Sequence, residues 1–231
     1  MLQEKLDLLI EKYDVGVKAE MKGRAAVTID GREYPLLPHR FERRFTEIRK
    51  MLHDGTVTGI SAVRCGHVAP ANIPLAALIG RELDLCRFFT GHEIVGVTAF
   101  IRDGRAATIL AEMDDGVVCS LEIANTLPVG SAPIDKHEVI SARGLVCDCV
   151  VDTQIPQQSI YLYAETNEAY TDVDFELYGL TVPEVAAVRC AFALAKDAGL
   201  REEALQNKAV MYKLTACAVQ SAQSGQRVSV N

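Results

Sequence analysis

The run EIVGVTAFIR-DGR-AATILAEM-DDG-VVCSLEIAN, residues 93–125, decides the fold. Three strand-like segments alternate with two short turns, each containing Asp-Gly. A three-residue hairpin loop needs a residue in the left-handed region, and glycine takes it without steric cost. With Arg102-Asp103-Gly104 and Asp114-Asp115-Gly116 as loops, Ala99 is expected opposite Ala107 and Val97 opposite Ile109. The second loop sets Met113 opposite Val117, Ala111 opposite Cys119 and Ile109 opposite Leu121. Side chains alternate along a strand, so these odd-numbered residues share one face, and it is almost wholly apolar. The even-numbered face carries Thr98, Phe100, Thr108, Leu110, Glu112, Val118, Ser120 and Glu122. The expectation is an antiparallel meander with one dry side and a second side that is neither core nor ordinary surface.

Totals bound the rest. A chain of 231 residues, 49% of them hydrophobic, can bury a substantial core. Lys plus Arg is 24 against 31 for Asp plus Glu, a formal net charge of −7. An acidic chain without a basic block is a poor partner for nucleic acid or an anionic membrane. No apolar run approaches the roughly 18 residues needed to span a bilayer. The start, MLQEKLDLLIEKYD, lacks the basic region and unbroken apolar stretch of a signal peptide, so cytoplasm is the expected location. The seven cysteines are mostly set in apolar periodic runs, which reads as buried free thiols. Cys147 and Cys149 share a strand face, but no second C-x₂-C or His pair lies near them in sequence. No metal is expected there.

Working outward, Leu2, Leu6, Leu9 and Ile10 fall at helical spacing, and strands are expected at 15–19 and 25–29. Phe41, Phe45, Ile48 and Leu52 mark an amphipathic helix ending at Gly55. Residues 58–66 read as a strand, 67–70 as loop, and 73–89 as a helix whose inner side carries Leu75, Leu78, Ile79, Leu83, Cys86 and Phe89. After the meander, 126–136 reads as a long loop, a common place for function beside a sheet. His137 to Arg143 and Leu145 to Asp152 form a strand pair around Gly144, and 159–164 a further strand. Residues 165–182 read as irregular. Helices from Pro183 to Ala198 and about Glu202 to Ser221 precede a last short strand from Arg227. No repeat or interdomain linker is visible.

The motifs of common cofactor chemistry do not occur in the sequence. There is no G-x-G-x-x-G after a strand, no G-x-x-x-x-G-K-[ST], no G-x-S-x-G and no H-E-x-x-H. Four stretches taken together nonetheless carry a resemblance. They are PHRFERRFTEIRKMLHDGTVTGISAVR (38–64), IPLAALIGRELDLCRFFTG (73–91), KHEVISARGLVCDCVVD (136–152) and FALAKDAG followed by ACAVQSAQSGQRVSV (192–230). In order and spacing they resemble the C-terminal half of the glucose–fructose oxidoreductase/inositol dehydrogenase/MocA (Gfo/Idh/MocA) family, over about residues 36–231.

The resemblance implies an α+β fold. A large, mostly antiparallel sheet would have helices packed on one face and the other face open for oligomerisation. It also implies a sugar or polyol pocket at the helix-rich edge. The chain is expected to be a single domain, 1–231, with a helix and hairpin over 1–35 preceding the main sheet and helices of 36–231. This sequence departs from the family in three ways. It shows no dinucleotide-binding (Rossmann) fingerprint and no Glu-Lys-Pro segment to carry a catalytic Lys. In the helix near residue 80, Ala77 and Arg81 stand where the family places an Asp and a His, and only Asp84 is kept.

Candidate ligand-binding residues are Arg64, His67, Arg81, Asp84 and His137. Arg81 and Asp84 are three apart on a helix and are expected to pair with each other or to meet a polar ligand. Arg64 and His67 follow a strand into a loop and face opposite sides of it. An ordinary histidine titrates near neutrality, which makes His137 a candidate acid or base, but it has no partner visible in the sequence. Ordinary surface ion pairs and structural histidines are the plainer reading of these residues. Thr98, Thr108, Glu112, Ser120 and Glu122 are candidates for a subunit-facing surface.

Two functions stay open. One is an oligomeric accessory protein, a homodimer or higher homo-oligomer, that either binds a sugar or polyol or docks onto a Rossmann-domain partner. The other is an enzyme, either the catalytic subunit of a split NAD(P)-dependent oxidoreductase or a cofactor-free acid–base catalyst acting on a carbohydrate. No cofactor is expected to bind this chain alone, and NAD(P) enters only if a partner supplies it. The chain could also be part of a longer oxidoreductase, although its own helix and hairpin before residue 36 weigh against that.

Overall fold

The computed structural model describes residues 1–148, 159–163, 167–171 and 176–230. In chain order its elements begin with α1 (Leu2–Lys12), β1 (Ala19–Lys22), β2 (Ala26–Ile29), β3 (Arg32–Pro35), α2 (Arg43–His53), β4 (Ile60–Pro70) and α3 (Leu75–Thr90). The meander follows as β5 (Ile94–Arg102), β6 (Ala106–Met113) and β7 (Val118–Leu127). Then come β8 (Ile134–Ser141), β9 (Gly144–Cys147), β10 (Ser159–Tyr163), β11 (Asn167–Thr171), α4 (Val182–Lys196), α5 (Ala198–Ser224) and β12 (Val228–Ser229). Two compact units result: Met1–Thr46 with Asp172–Val210, and Glu47–Thr171 with Met211–Asn231.

In the first unit, β1, β2 and β3 form an antiparallel sheet with Val27 opposite Tyr34 and Ile29 opposite Arg32. The strand expected at 15–19 begins only at Ala19, and β3 is an addition. Leu6 and Leu9 of α1 bury their side chains with Val27, Ile29, Val188 and Leu194. Helix α4 starts with Pro183 in its first turn, where a missing N–H costs no helical bond. The Glu184 carboxylate accepts both the Thr181 backbone N–H, at 2.8 Å, and its hydroxyl, at 2.6 Å. At the other end the Arg201 guanidinium donates to the Leu194 and Ala195 carbonyls at 2.7 and 2.8 Å.

The second unit is built on a nine-stranded sheet of order β11-β10-β9-β8-β4-β7-β6-β5-β12. Every neighbouring pair is antiparallel except β4 with β7. Helix α3 packs on β4, β6 and β7. On the same side Ser221 of α5 accepts the Ala99 N–H at 3.0 Å. The architecture is therefore α+β, with a large, mostly antiparallel sheet and helices on one face. No helix among the described residues is long and apolar enough to cross a membrane.

The meander keeps its expected faces but not all of its expected register. Ala99 pairs with Ile109 and Val97 with Ala111, two residues from the expectation. The loop still holds three residues but starts one position later, with Arg102 opposite Ala106 across Asp103-Gly104-Arg105. Asp103 and Gly104 both take positive φ, 52° and 63°, and the Arg105 N–H bonds to the Arg102 carbonyl at 2.9 Å. A slip of two preserves parity, so the odd-numbered face stays inside. Val97, Ala99, Ile109, Ala111, Met113, Cys119 and Leu121 are all buried. The second hairpin pairs Ala111 with Cys119 and Ile109 with Leu121, as expected. On the even face Phe100, Leu110 and Val118 are 67%, 46% and 41% exposed. They stand among Thr98, Thr108, Glu112, Ser120 and Glu122 on that face.

Two further expectations are corrected. His67 to Pro70 is the end of β4 rather than loop, because β7 and β8 hydrogen-bond to the strand on both sides as far as Val68. The span read as irregular contains β11. Cys65, Cys86, Cys119, Cys147 and Cys190 are buried free thiols, and Cys217 is half-buried. Cys149 and the end of the expected strand 145–152 lie outside the described residues.

Candidate functional site

The site grows from three elements. Strand β4 alternates, so Cys65 and His67 face α3 while Arg64 faces the opposite side of the sheet. Strand β8 places His137 directly opposite Cys65 and Asp135 opposite His67. Helix α3 lies over them and lowers Glu82 between the two histidines.

Glu82 is wholly buried, and each of its oxygens is committed. Oε2 lies 2.9 Å from His137 Nε2. Oε1 lies 2.7 Å from His67 Nδ1 and also meets the Arg81 guanidinium. His137 is gripped from behind as well. Asp148 accepts its backbone N–H and its Nδ1, both at 2.7 Å. The ring of Phe89 closes one side, edge-on to His137 with centroids 6.2 Å apart. Arg81 completes the corner through Asp135, with Nη2 to Oδ2 at 3.1 Å.

These contacts fix protonation. Both ring nitrogens of His137 face carboxylate oxygens, so both carry protons and the ring is an imidazolium. Burial alone would push its pKa down; the Asp148 and Glu82 charges and their hydrogen bonds outweigh this and hold it well above the ordinary histidine value. For Glu82 burial pushes upward, and Arg81, His137 and His67 together hold the carboxyl well below its usual range. His67 Nδ1 faces both Glu82 Oε1, at 2.7 Å, and the Arg81 guanidinium, at 3.0 Å. That leaves Nε2 without a partner among the described residues.

The result is a continuous line, Asp148–His137–Glu82–His67, running from a sealed interior to a histidine whose outer nitrogen is unclaimed. Arg81 and Asp135 are 17% and 15% exposed beside it. Such a line can hold a histidine in one tautomer and pass charge along alternating acid and base groups.

Of the sequence candidates, the structure brings together His67, Arg81 and His137. It does not bring Arg64, which lies on the other sheet face with Glu138 at 3.4 Å. Arg81 reaches Glu82 and Asp135. Asp84 is buried against Arg87 at 3.1 Å, and Arg87 in turn clamps Glu93. Arg81 turns toward β8, where Asp135 meets it. His137, read from sequence as lacking a partner, has two. Glu82, Asp148 and Asp135 were missed. Glu82 had a signal: it stands in the buried stripe of Leu75, Leu78, Ile79, Cys86 and Phe89, where a charged residue demands buried partners.

No family model matches the sequence, and no curated protein matches it. Solved structures do. An oxidoreductase from Agrobacterium radiobacter, in complex with NAD+, L-tartaric acid and magnesium, is similar with a TM-score of 0.67 at 15% identity, over 84% of this chain and 63% of that one. A levoglucosan dehydrogenase with NADH and levoglucosan gives 0.65 at 11% identity, over 84% and 65%. An inositol dehydrogenase homolog from Azotobacter vinelandii, with NADH and myo-inositol, gives 0.62 at 14% identity, over 84% and 63%. The chain thus has an oxidoreductase-like fold and spans less than two thirds of the length of these relatives. At such identities the likeness is one of fold.

Proposed function

We propose that this chain is the ligand-holding part of a Gfo/Idh/MocA-type oxidoreductase system. It binds a sugar or polyol at the His67–Arg81–Asp135 corner, while the dinucleotide is supplied from outside the residues described. The observation that carries this reading is the unclaimed His67 Nε2, held at the end of a buried charge network beside two half-buried polar groups. Directional donors and acceptors around a shallow polar corner suit a polyhydroxyl ligand. The solved relatives with levoglucosan and myo-inositol support the ligand class. The test is a saturation-transfer NMR screen of neutral sugars, polyols and sugar acids against the full chain, with NADH alone as a comparison. Binding of a polyhydroxyl compound, with no response to NADH, is expected. Binding of NADH alone, with no polyhydroxyl ligand, contradicts the proposal.

A second reading is favoured by the same network. His67 backed by Glu82 has the form of a general base, which fits cofactor-free acid–base chemistry on a carbohydrate. Proton exchange at a carbon of the bound ligand in deuterated water, abolished by His67→Ala, separates it from simple binding.

In this proposal the chain works as a homo-oligomer through the even-numbered sheet face. Exposed Phe100, Leu110 and Val118 there, interleaved with Thr and Glu, form a mixed surface of the kind that subunits bury.

A further inference from the structure

The buried end of the network has a second chemical possibility. Cys65 Sγ, a Glu82 carboxylate oxygen and a His137 ring nitrogen all lie within 4.8 Å of one another, and all three residues are buried. The geometry is built rather than incidental. Cys65 and His137 are cross-strand partners on β4 and β8, so their side chains stand together on one face. Glu82 descends onto the pair from α3. Asp148 holds His137 by its backbone N–H and its Nδ1 at once, which aims Nε2 at Glu82. A carboxylate behind a histidine, fixing its tautomer and orientation, is the usual outer partner of a metal-bound imidazole.

We propose that Cys65, Glu82 and His137 form a buried binding site for a divalent zinc-type cation, with Asp148 as the positioning residue. One thiolate, one imidazole and one carboxylate make a donor set that selects zinc over the oxygen-seeking magnesium or calcium. Binding replaces two protons, the one between His137 Nε2 and Glu82 Oε2 and the one on the Cys65 thiol. Glu82 Oε1 keeps its contacts with His67 and Arg81, so the site does not depend on the ligand-binding reading. Cys86, whose thiol meets Cys65 and Cys119, adds a further sulfur beside it. With no exposed ligand, the ion enters as the chain folds. The sequence hides such a site because its three ligands come from a strand, a helix and another strand, with no local spacing motif.

The full chain, unfolded in chelator and refolded with cobalt(II), is the test. A thiolate-to-cobalt charge-transfer band with tetrahedral visible bands is expected, along with about one zinc per chain in protein purified with zinc present. Cys65→Ser abolishes the charge-transfer band and weakens metal binding about tenfold or more. His92→Ala, in the exposed His92–Asp114–Asp115 cluster, leaves both unchanged. A band that survives in Cys65→Ser, or a wild-type chain that refolds without zinc and shows no band with cobalt, overturns the proposal. If Cys65→Ser fails to fold by circular dichroism, the wild-type cobalt spectrum decides alone. Loss of polyol binding in His67→Ala with an intact cobalt spectrum separates this site from the ligand corner.

Discussion

Glu82 Oε1 lies 2.7 Å from His67 Nδ1 while its other oxygen lies 2.9 Å from His137 Nε2, so one buried carboxylate holds two histidines from two adjacent strands. In metal-free protein, Glu82→Gln keeps the shape and removes the charge that Arg81 and His137 face. Destabilisation of about 3–5 kcal/mol is expected, because breaking a buried ion pair from one side strands the other. Urea unfolding measures it. A loss below about 1 kcal/mol would show that the network is solvated rather than buried.

Gly91 ends α3 in the left-handed region with φ of 74°, and a Cβ there would meet His53 Cε1 at 2.6 Å. Gly91→Ala therefore suffers both backbone strain and a clash. A cost of about 1–2 kcal/mol is expected in thermal or urea unfolding. Gly116→Ala meets no atom within 4 Å and carries strain alone, so its cost should be smaller.

The even face of the meander makes its own prediction. Phe100→Glu with Leu110→Glu adds like charges beside Glu112 and Glu122 while leaving the buried odd face untouched. The proposed homo-oligomer should dissociate to monomer in light scattering, with unchanged circular dichroism. An assembly indifferent to both substitutions would place the subunit contact elsewhere.

The pH dependence of the α4 start follows from Glu184. Its carboxyl is held below the usual range, chiefly by hydrogen bonds from the Thr181 hydroxyl and backbone. A depressed folded-state pKa stabilises above the unfolded value, and that contribution is lost as pH falls through the folded value. The stability difference between wild type and Glu184→Gln should be largest near neutrality and shrink as pH drops below the ordinary carboxylate range. A difference that is constant with pH would contradict the assignment.

What was legible in the sequence followed from periodicity. The meander alternates cleanly, so its two faces could be assigned even though the loop begins at Asp103 rather than Arg102, which moved one register by two. The resemblance to the C-terminal half of an oxidoreductase family led to an α+β fold that the structure bears out. The site was less legible. His67 was read into a loop, yet β4 runs on to Pro70, which lies where its pairing with β7 slips, at the strand's end. His137 and Asp148 are brought together by the turn between β8 and β9 and by burial, neither of which leaves a spacing signature. Glu82 alone was visible in principle, as a charge in an apolar helical stripe.

Arg64 and His67 sit on opposite faces of β4, three residues apart, and this separates the central claim from its rival most directly. Calorimetric titration of the best polyhydroxyl ligand into wild type, Arg64→Ala and His67→Ala is the measurement. The proposed site predicts that His67→Ala loses affinity by about tenfold or more, about 1.4 kcal/mol, while Arg64→Ala binds as wild type does. Loss of binding in Arg64→Ala with His67→Ala unaffected would place the ligand on the open sheet face and contradict the account.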